Sequence, residues 1–82
     1  MEEELIGIKN SAISLILECQ DLESLEETKL QFLGRSGKLT LAIKNISKLP
    51  IEKRPEVGVL ANEVKNTIEQ TIEDKKEELR EK

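Results

Sequence analysis

The 82-residue sequence contains no histidine, tryptophan or tyrosine, and it has one cysteine, one phenylalanine and one methionine. Without histidine it has no Ser-His-Asp or Cys-His catalytic group. The lone Cys19 forms neither an internal disulfide nor a thiolate cluster for zinc or iron–sulfur binding. A domain of this length buries only roughly 60% of its unfolded surface, which leaves little interior for a catalytic cavity. The composition therefore argues against an active site within these residues.

The sequence also lacks a long apolar run and a basic N-terminus. Its longest largely apolar stretch, residues 13–17, is far too short to span a bilayer. Met1 is followed by three glutamates, where a targeting signal would carry basic residues. The cysteine usage suits a reducing cytosol, and we interpret Cys19 as a small buried apolar residue. These features predict a cytoplasmic protein without a membrane partner.

Charge is distributed unevenly along the chain, although the formal net charge is only −4. Residues 1–28 carry a net charge of −7, residues 29–54 carry +6 and residues 55–82 carry −3. A basic segment attracts a polyanion such as a phosphate backbone within about one Debye length, whatever the total charge of the protein. The same pattern also fits a solvated helical face, so charge alone leaves both interpretations open.

Apolar residues recur at steps of three and four over most of the chain, which predicts helices and no strand. The first helix, over residues 5–19, has an apolar stripe so wide that we expect other helices to cover it. Asp21 is the predicted cap of a second helix that ends near Phe32, and Ser36 is the candidate cap of a short third helix. Pro55 suits the first position of a fourth helix of about 26 residues.

The predicted fold is all-α. Residues 22–49 fold back on residues 56–81 as an antiparallel helical hairpin or coiled coil, and residues 3–19 form an additional N-terminal helix packed at its base. Two glycines three positions apart allow a positive φ, so we expect a change of chain direction after the second helix. Residues 1–82 form a single helical arm. Because the sequence stops inside a charged helix without a glycine or proline signal, we expect a domain cut from a longer protein.

Three linked motifs give the sequence a family resemblance. They are Phe-Leu-Gly-Arg-Ser-Gly-Lys-Leu-Thr at residues 32–40, Leu-Pro-Ile-Glu-Lys-Arg-Pro-Glu-Val-Gly at residues 49–58, and Asn-Glu-Val-Lys at residues 62–65. In order and spacing they resemble the N-terminal region of bacterial phenylalanine–tRNA ligase α subunits, from about residue 12 to the end. The sequence departs from the family pattern at two positions. The family usually has tyrosine at the position of Phe32 and a second basic residue at the position of Ser36.

The resemblance implies an antiparallel coiled-coil arm that braces the outer, elbow region of phenylalanine tRNA and performs no chemistry itself. It implies that the parent protein is an ATP-dependent aminoacyl-tRNA ligase whose catalytic core lies C-terminal to these residues. ATP and magnesium belong to that core, so we expect no cofactor, catalytic residue or metal ligand in this chain. The implied protein partner is the β subunit of the same ligase in an (αβ)2 assembly.

In such an arm, basic side chains position the tRNA through phosphate contacts, which carry no base-sequence information by themselves. Arg35 is the best single candidate, because a guanidinium binds phosphate bidentately and the flanking glycines allow close backbone approach. Lys29 is a weaker candidate because glutamates surround it. The predicted nucleic-acid-binding residues are Arg35, Lys38, Lys44, Lys48, Lys53 and Arg54.

Two alternatives remain open from the sequence. Arg54 beside a proline connection also suits a structural role, as a cap of backbone carbonyls or a partner of Glu52 or Glu56. The alternative function is a non-catalytic helical protein-interaction module whose apolar stripe docks a partner helix. Salt separates the two functions, because phosphate binding weakens steeply with ionic strength whereas apolar docking changes little. The near absence of aromatic residues favours folded or double-helical RNA over unpaired bases.

Overall fold

The computed structural model describes residues 2–81, which form four α-helices and no strand. The helices are α1 (Glu2–Glu18), α2 (Leu22–Leu33), α3 (Lys38–Ile46) and α4 (Arg54–Arg80). They confirm the predicted all-α class and the long final helix, which has 27 residues and is therefore about 40 Å long. Met1 and Lys82 lie outside the described residues. The described part is elongated and measures 48 × 19 × 15 Å.

The helix α4 is the common packing surface of the fold, because it contacts α1, α2 and α3. Its apolar residues recur at steps of three and four, so one face of the helix is buried along most of its length. Because the same spacing is visible in the sequence, this buried face was predicted. The buried residues of α4 are Val57, Ala61, Val64, Ile68 and Ile72, and the largest ones from the other helices are Leu5, Ile16, Phe32 and Leu39.

Together, α2 and α3 form the antiparallel partner of α4, as predicted for the hairpin. Lys29 in α2 shares a surface cleft with Glu73 in the second half of α4. Ile46, at the end of α3, shares a different cleft with Gly58 in the first half of α4. The chain therefore runs along α4 toward its N-terminal end. It reverses in residues 47–53, which we call the bend.

The helix α1 packs along α4 and also contacts α2 and α3. Its first turn is at the bend, where Glu2 and Glu3 share a cleft with Lys53 and Val57. The acidic N-terminal segment and part of the basic segment are therefore neighbours in space. This proximity bears on the strength with which the bend attracts an anion.

Only one side of the apolar stripe on α1 is buried. Leu5 and Ile16 are fully buried, whereas Ile6 is 43% exposed and Leu17 is 61% exposed. The expectation that other helices cover the whole stripe is therefore wrong in part. The physical reason is that the helices packed on α1 cover a single face, and Ile6 and Leu17 lie to one side of that face.

Polar side chains hold the junction between α1 and α2. Asp21 Oδ1 accepts hydrogen bonds from the Ser24 hydroxyl at 2.6 Å and the Ser24 backbone N–H at 2.7 Å, which confirms the predicted cap. These bonds, the hydroxyl first, lower the pKa of Asp21 because they stabilise the ionised carboxylate. The Thr28 hydroxyl donates to the Ser24 carbonyl at 2.9 Å, and Cys19 Sγ lies 3.5 Å from Thr28 Oγ1. Cys19 is buried, as the sequence predicted.

Candidate nucleic-acid interface

The turn between α2 and α3, residues 34–37, carries the first predicted phosphate ligand. Its glycines have φ angles of −69° at Gly34 and −67° at Gly37, so neither uses the positive φ that glycine allows. Close approach explains these glycines. A Cβ atom on Gly37 would lie 2.6 Å from the carbonyl carbon and oxygen of Phe32, and one on Gly34 would overlap the carbonyl oxygen of Leu30. The turn is therefore a compact connection with no room for side chains at either glycine.

Arg35 and Lys38 are exposed at this turn. Lys38 Nζ lies 5.5 Å from the ring centroid of Phe32, which is within the range of a cation–π interaction. Phe32 itself is buried, in agreement with its interpretation as a core residue. The N-cap of α3 is Gly37 and no side chain caps it, so the predicted capping by Ser36 is wrong. Both cations of the turn remain accessible to a ligand.

The bend is closed by Arg54, the first residue of α4. Arg54 Nε donates to the carbonyl of Leu49 at 2.9 Å, and Nη2 donates to the carbonyl of Ser47 at 2.7 Å. The structural alternative for Arg54 is therefore confirmed, because its guanidinium caps carbonyls that follow α3. Pro55 is the second residue of α4, one position later than predicted.

Lys48 and Lys53 are the other predicted ligands at the bend, and both are exposed. Lys53 shares a cleft of about 350 Å³ with Glu2 and Glu3. These carboxylates offset part of the positive potential around Lys53, because opposite charges within a Debye length act on the same ligand. The bend is thus less basic in the folded protein than its sequence suggests.

Lys44 belongs to a third basic region, which lies between α3 and α4. A cavity of about 540 Å³ is lined by Lys29, Lys44 and Lys65, with Leu39 and Ile43 among its apolar residues. An adjoining cavity of about 490 Å³ shares Ile43 and Lys65 with the first. The two cavities together are called the α3–α4 groove. The second cavity is also lined by Ile46, Ser47, Arg54, Gly58, Ala61 and Asn62.

Lys65 is a candidate ligand outside the predicted set, and it lines both cavities of the groove. It lies in the third motif, which contributed to the resemblance but to no site. A signal was present, because Lys65 follows the buried Ala61 by four positions and precedes the buried Ile68 by three. A lysine at the edge of a buried stripe rests its aliphatic stem on apolar surface and extends its charge beside the neighbouring helix.

The basic residues of these regions are not neutralised by direct ion pairs. Across residues 2–81 the structure has one salt bridge, between Lys75 Nζ and Glu78 Oε2 at 3.5 Å. In the same part of the chain, no group of three or more histidine, cysteine, aspartate or glutamate residues is placed to hold a metal ion. What the arrangement offers chemically is therefore the binding of an anion through unpaired cations.

None of the helices within residues 2–81 combines the length and the apolar character needed to cross a membrane.

The predicted residues occupy three regions of the surface. Arg35 and Lys38 lie at the turn, Lys48 and Lys53 lie at the bend, and Lys44 lies in the α3–α4 groove. Arg54 closes the bend and also lines the groove, so it joins these two regions. Lys29 and Lys65 line the same cavity as Lys44, and this grouping depends on the packing of three helices.

The chain is similar to phenylalanine–tRNA ligase α subunits over nearly its whole length. It is 38% identical to the protein from Synechocystis over 79 residues, which cover 96% of this chain and 24% of that protein. It is 37% identical to the protein from Oceanobacillus iheyensis over 81 residues, covering 99% of this chain and 24% of that protein. With the protein from Desulfosudis oleivorans the identity is 40% over 73 residues, or 89% of this chain and 22% of that protein.

The chain thus spans about a quarter of the length of these relatives. Residues 20–82 match the family described as aminoacyl tRNA synthetase class II, N-terminal domain. The matched residues include α2, α3 and α4 with the turn and the bend. The family match and the relatives agree with the resemblance carried by the three motifs. The chain belongs to the family of N-terminal domains of class II aminoacyl-tRNA synthetases, in the branch of the phenylalanine–tRNA ligase α subunits.

Proposed function

We propose that this chain is a tRNA-binding domain that braces phenylalanine tRNA through its phosphates and performs no chemistry itself. The observation that carries the proposal is the set of exposed basic residues without ion pairs at the turn, the bend and the α3–α4 groove. The family of the chain, the N-terminal domains of class II aminoacyl-tRNA synthetases, supports it. Phosphate contacts of this kind position a folded RNA without reading its bases.

The proposal extends to the longer protein that the relatives represent. Such a protein would attach phenylalanine to its tRNA with ATP and magnesium, in a cytoplasmic assembly with a β subunit. In this proposal the residues of this chain take no part in that chemistry. Their role is to hold the RNA while distant residues react.

An amide chemical-shift titration with phenylalanine tRNA tests the proposal at about 50 and 200 mM salt, a range over which phosphate-driven binding changes strongly. We expect shifts in residues 29–54 and around Lys65 at the lower salt and their loss at the higher salt. Absence of shifts at both concentrations would contradict direct binding by this domain.

The second candidate function is a protein-interaction module, and the exposed side chains of Ile6 and Leu17 on α1 favour it. Apolar side chains on one side of a helix are a surface on which a partner helix can pack. Association through them would depend on protein concentration and would persist in high salt. Sedimentation velocity at 0.5 M salt, with and without the double substitution I6E/L17E, distinguishes this function from tRNA binding.

A further inference from the structure

We infer that the α3–α4 groove is the main phosphate-binding surface of this domain and that Lys29, Lys44 and Lys65 are its ligands. The inference rests on the proposed function for the identity of the RNA, and it names the surface that holds it. Two of the three ligands, Lys29 and Lys65, lie outside the predicted set.

Three different helices each contribute one lysine to the same cavity. Lys29 comes from α2, Lys44 from α3 and Lys65 from α4, and all three side chains are exposed. None has a direct ion pair within residues 2–81, and Glu69 is the one acid that lines this cavity with them. Like charges gathered on one surface repel and raise the energy of the folded state. An anion bound among the three ammonium groups removes that repulsion.

The shape of the groove strengthens its attraction for an anion. Its apolar lining includes Leu33, Leu39 and Ile43, and Ile43 is 39% exposed. Three of the four charged residues that line the first cavity are basic, and a concave surface with walls of low dielectric constant focuses the field of such an excess charge. Because solvent screens these lysines less than lysines on a convex polar surface, each lysine attracts a phosphate more strongly.

The groove also has the length and the access that a nucleic-acid backbone needs. It follows α4 from Glu69 back to Gly58, which is about three helical turns or roughly 16 Å. No atom of another helix lies within 4 Å of the position that a Cβ atom on Gly58 would take. Packing within this chain therefore does not require glycine at this position, and the absence of a side chain leaves this part of the groove open. Arg54 and Asn62 line that open part and add donors to it.

The test measures binding of phenylalanine tRNA to the 82-residue chain as a function of salt, for the wild type and for single glutamine variants. We expect K29Q and K65Q each to weaken binding roughly 3- to 10-fold at about 50 mM salt and to reduce the slope of log K against log salt by about 0.9. The control K76Q removes the same charge from the same helix outside the groove, and it should leave the slope unchanged. E69Q should strengthen binding, since it removes the acid from the groove.

The melting temperature of the free protein separates a ligand from a structural residue. If the three lysines repel one another, K65Q should raise the melting temperature by roughly 1–3 °C while it weakens RNA binding. A lysine that holds the fold together would instead lower the melting temperature when replaced. Opposite signs for stability and binding are therefore the expected signature, and a lower melting temperature for K65Q would overturn the inference.

The experiment distinguishes failure of the groove from failure of the proposed function. If R35Q weakens tRNA binding while K29Q and K65Q bind like the wild type, the groove is overturned and tRNA binding stands. If the wild type does not bind tRNA, the proposed function fails, and an amide-shift titration with tripolyphosphate tests the groove alone. Shifts at Lys29, Lys44 and Lys65 would then support an anion site, and their absence would overturn it. Binding that is insensitive to salt would overturn phosphate recognition in favour of a docked helix.

Discussion

At the scale of single residues, Gly37 and Gly58 differ in the space that a side chain would have. Gly37 is buried, and a Cβ atom there would overlap the backbone of Phe32. Gly58 lies inside α4, and no atom of another helix lies within 4 Å of the corresponding position. The same change, glycine to alanine, should therefore have opposite effects at the two positions.

We expect Gly37→Ala to lower the free energy of unfolding by roughly 1–3 kcal/mol, because the added methyl group forces the turn apart. Gly58→Ala should raise this free energy by about 1 kcal/mol, since alanine has a higher helix propensity than glycine. Urea unfolding followed by circular dichroism measures both values. A destabilising Gly58→Ala would show that the open space is needed within the domain itself.

The cap formed by Asp21 makes stability depend on pH in the acid range. Its pKa in the folded protein is below the ordinary value of 3.8, so the folded state favours the ionised carboxylate more than the unfolded chain does. The stabilisation is therefore present above the unfolded pKa and is lost as the pH falls through the folded pKa. Melting temperatures between pH 6 and pH 2 should show this loss in the wild type.

Asp21→Asn is the matched control for that loss, since asparagine caps a helix but does not titrate. The variant should lack the part of the acid transition that Asp21 contributes. A carboxyl carbon NMR titration of Asp21 gives the direct measurement, and a midpoint at or above 3.8 would contradict the expected shift.

At the scale of elements, the bend depends on two directional hydrogen bonds from one guanidinium. Arg54 donates to the carbonyls of Leu49 and Ser47, which follow α3. Lysine keeps the charge but has no planar arrangement of donors that fits two carbonyls at once. The structural role of Arg54 can thus be separated from its charge.

Arg54→Lys should lower the free energy of unfolding by about 1 kcal/mol, since the bonds are exposed and partly replaced by water. The slope of RNA binding against salt should stay the same, because the charge is kept. Arg54→Gln should change both quantities. If Arg54→Lys instead weakens RNA binding as much as Arg54→Gln, the guanidinium contacts phosphate directly.

The helices were predictable from the sequence where one apolar period dominates. The predicted apolar stripe of α4 is confirmed, because its buried residues recur at steps of three and four. They are Val57, Ala61, Val64, Ile68 and Ile72. The exposure of Ile6 and Leu17 could not be predicted from the sequence, because it depends on how much of α1 the other helices cover. The sequence indicates glycines that allow a positive φ at the turn, whereas the structure explains them by their steric closeness to the backbone of α2.

At the scale of the whole molecule, the acidic and basic segments meet at the bend. Glu2 and Glu3 share a cleft with Lys53, so their charges act on any anion that approaches it. The double substitution E2Q/E3Q should increase affinity for tRNA roughly 2- to 5-fold at low salt, equivalent to about 0.4–1 kcal/mol. The gain should shrink at high salt, where the Debye length falls to a few ångströms.

The matched control for this prediction is E77Q/E81Q. These glutamates lie at the other end of α4, and Glu77 is 20 residues from Val57, or roughly 30 Å along the helix. Because this distance exceeds the Debye length, the control should change the potential at Lys53, and hence binding at the bend, much less than E2Q/E3Q does. Equal gains from both pairs would mean that net charge matters and that the position of the acids does not.

The candidate site was predictable only as a segment of the chain. The charge pattern located the basic residues 29–54, and the motifs indicated the family. The meeting of Lys29, Lys44 and Lys65 in one groove depends on the packing of three helices, which no local pattern encodes. For the same reason, the cleft that joins Lys53 to the acids of α1 was not foreseen.

The burial of Cys19 makes this domain a reporter of its own local opening. The thiol is 7% exposed where α1 meets α2, and it is the only cysteine in the chain. A thiol reagent reacts with it only when that junction opens, so the labelling rate measures the free energy of this opening without any engineered residue. A free energy of opening below the free energy of global unfolding would show that α1 detaches while α2, α3 and α4 remain folded.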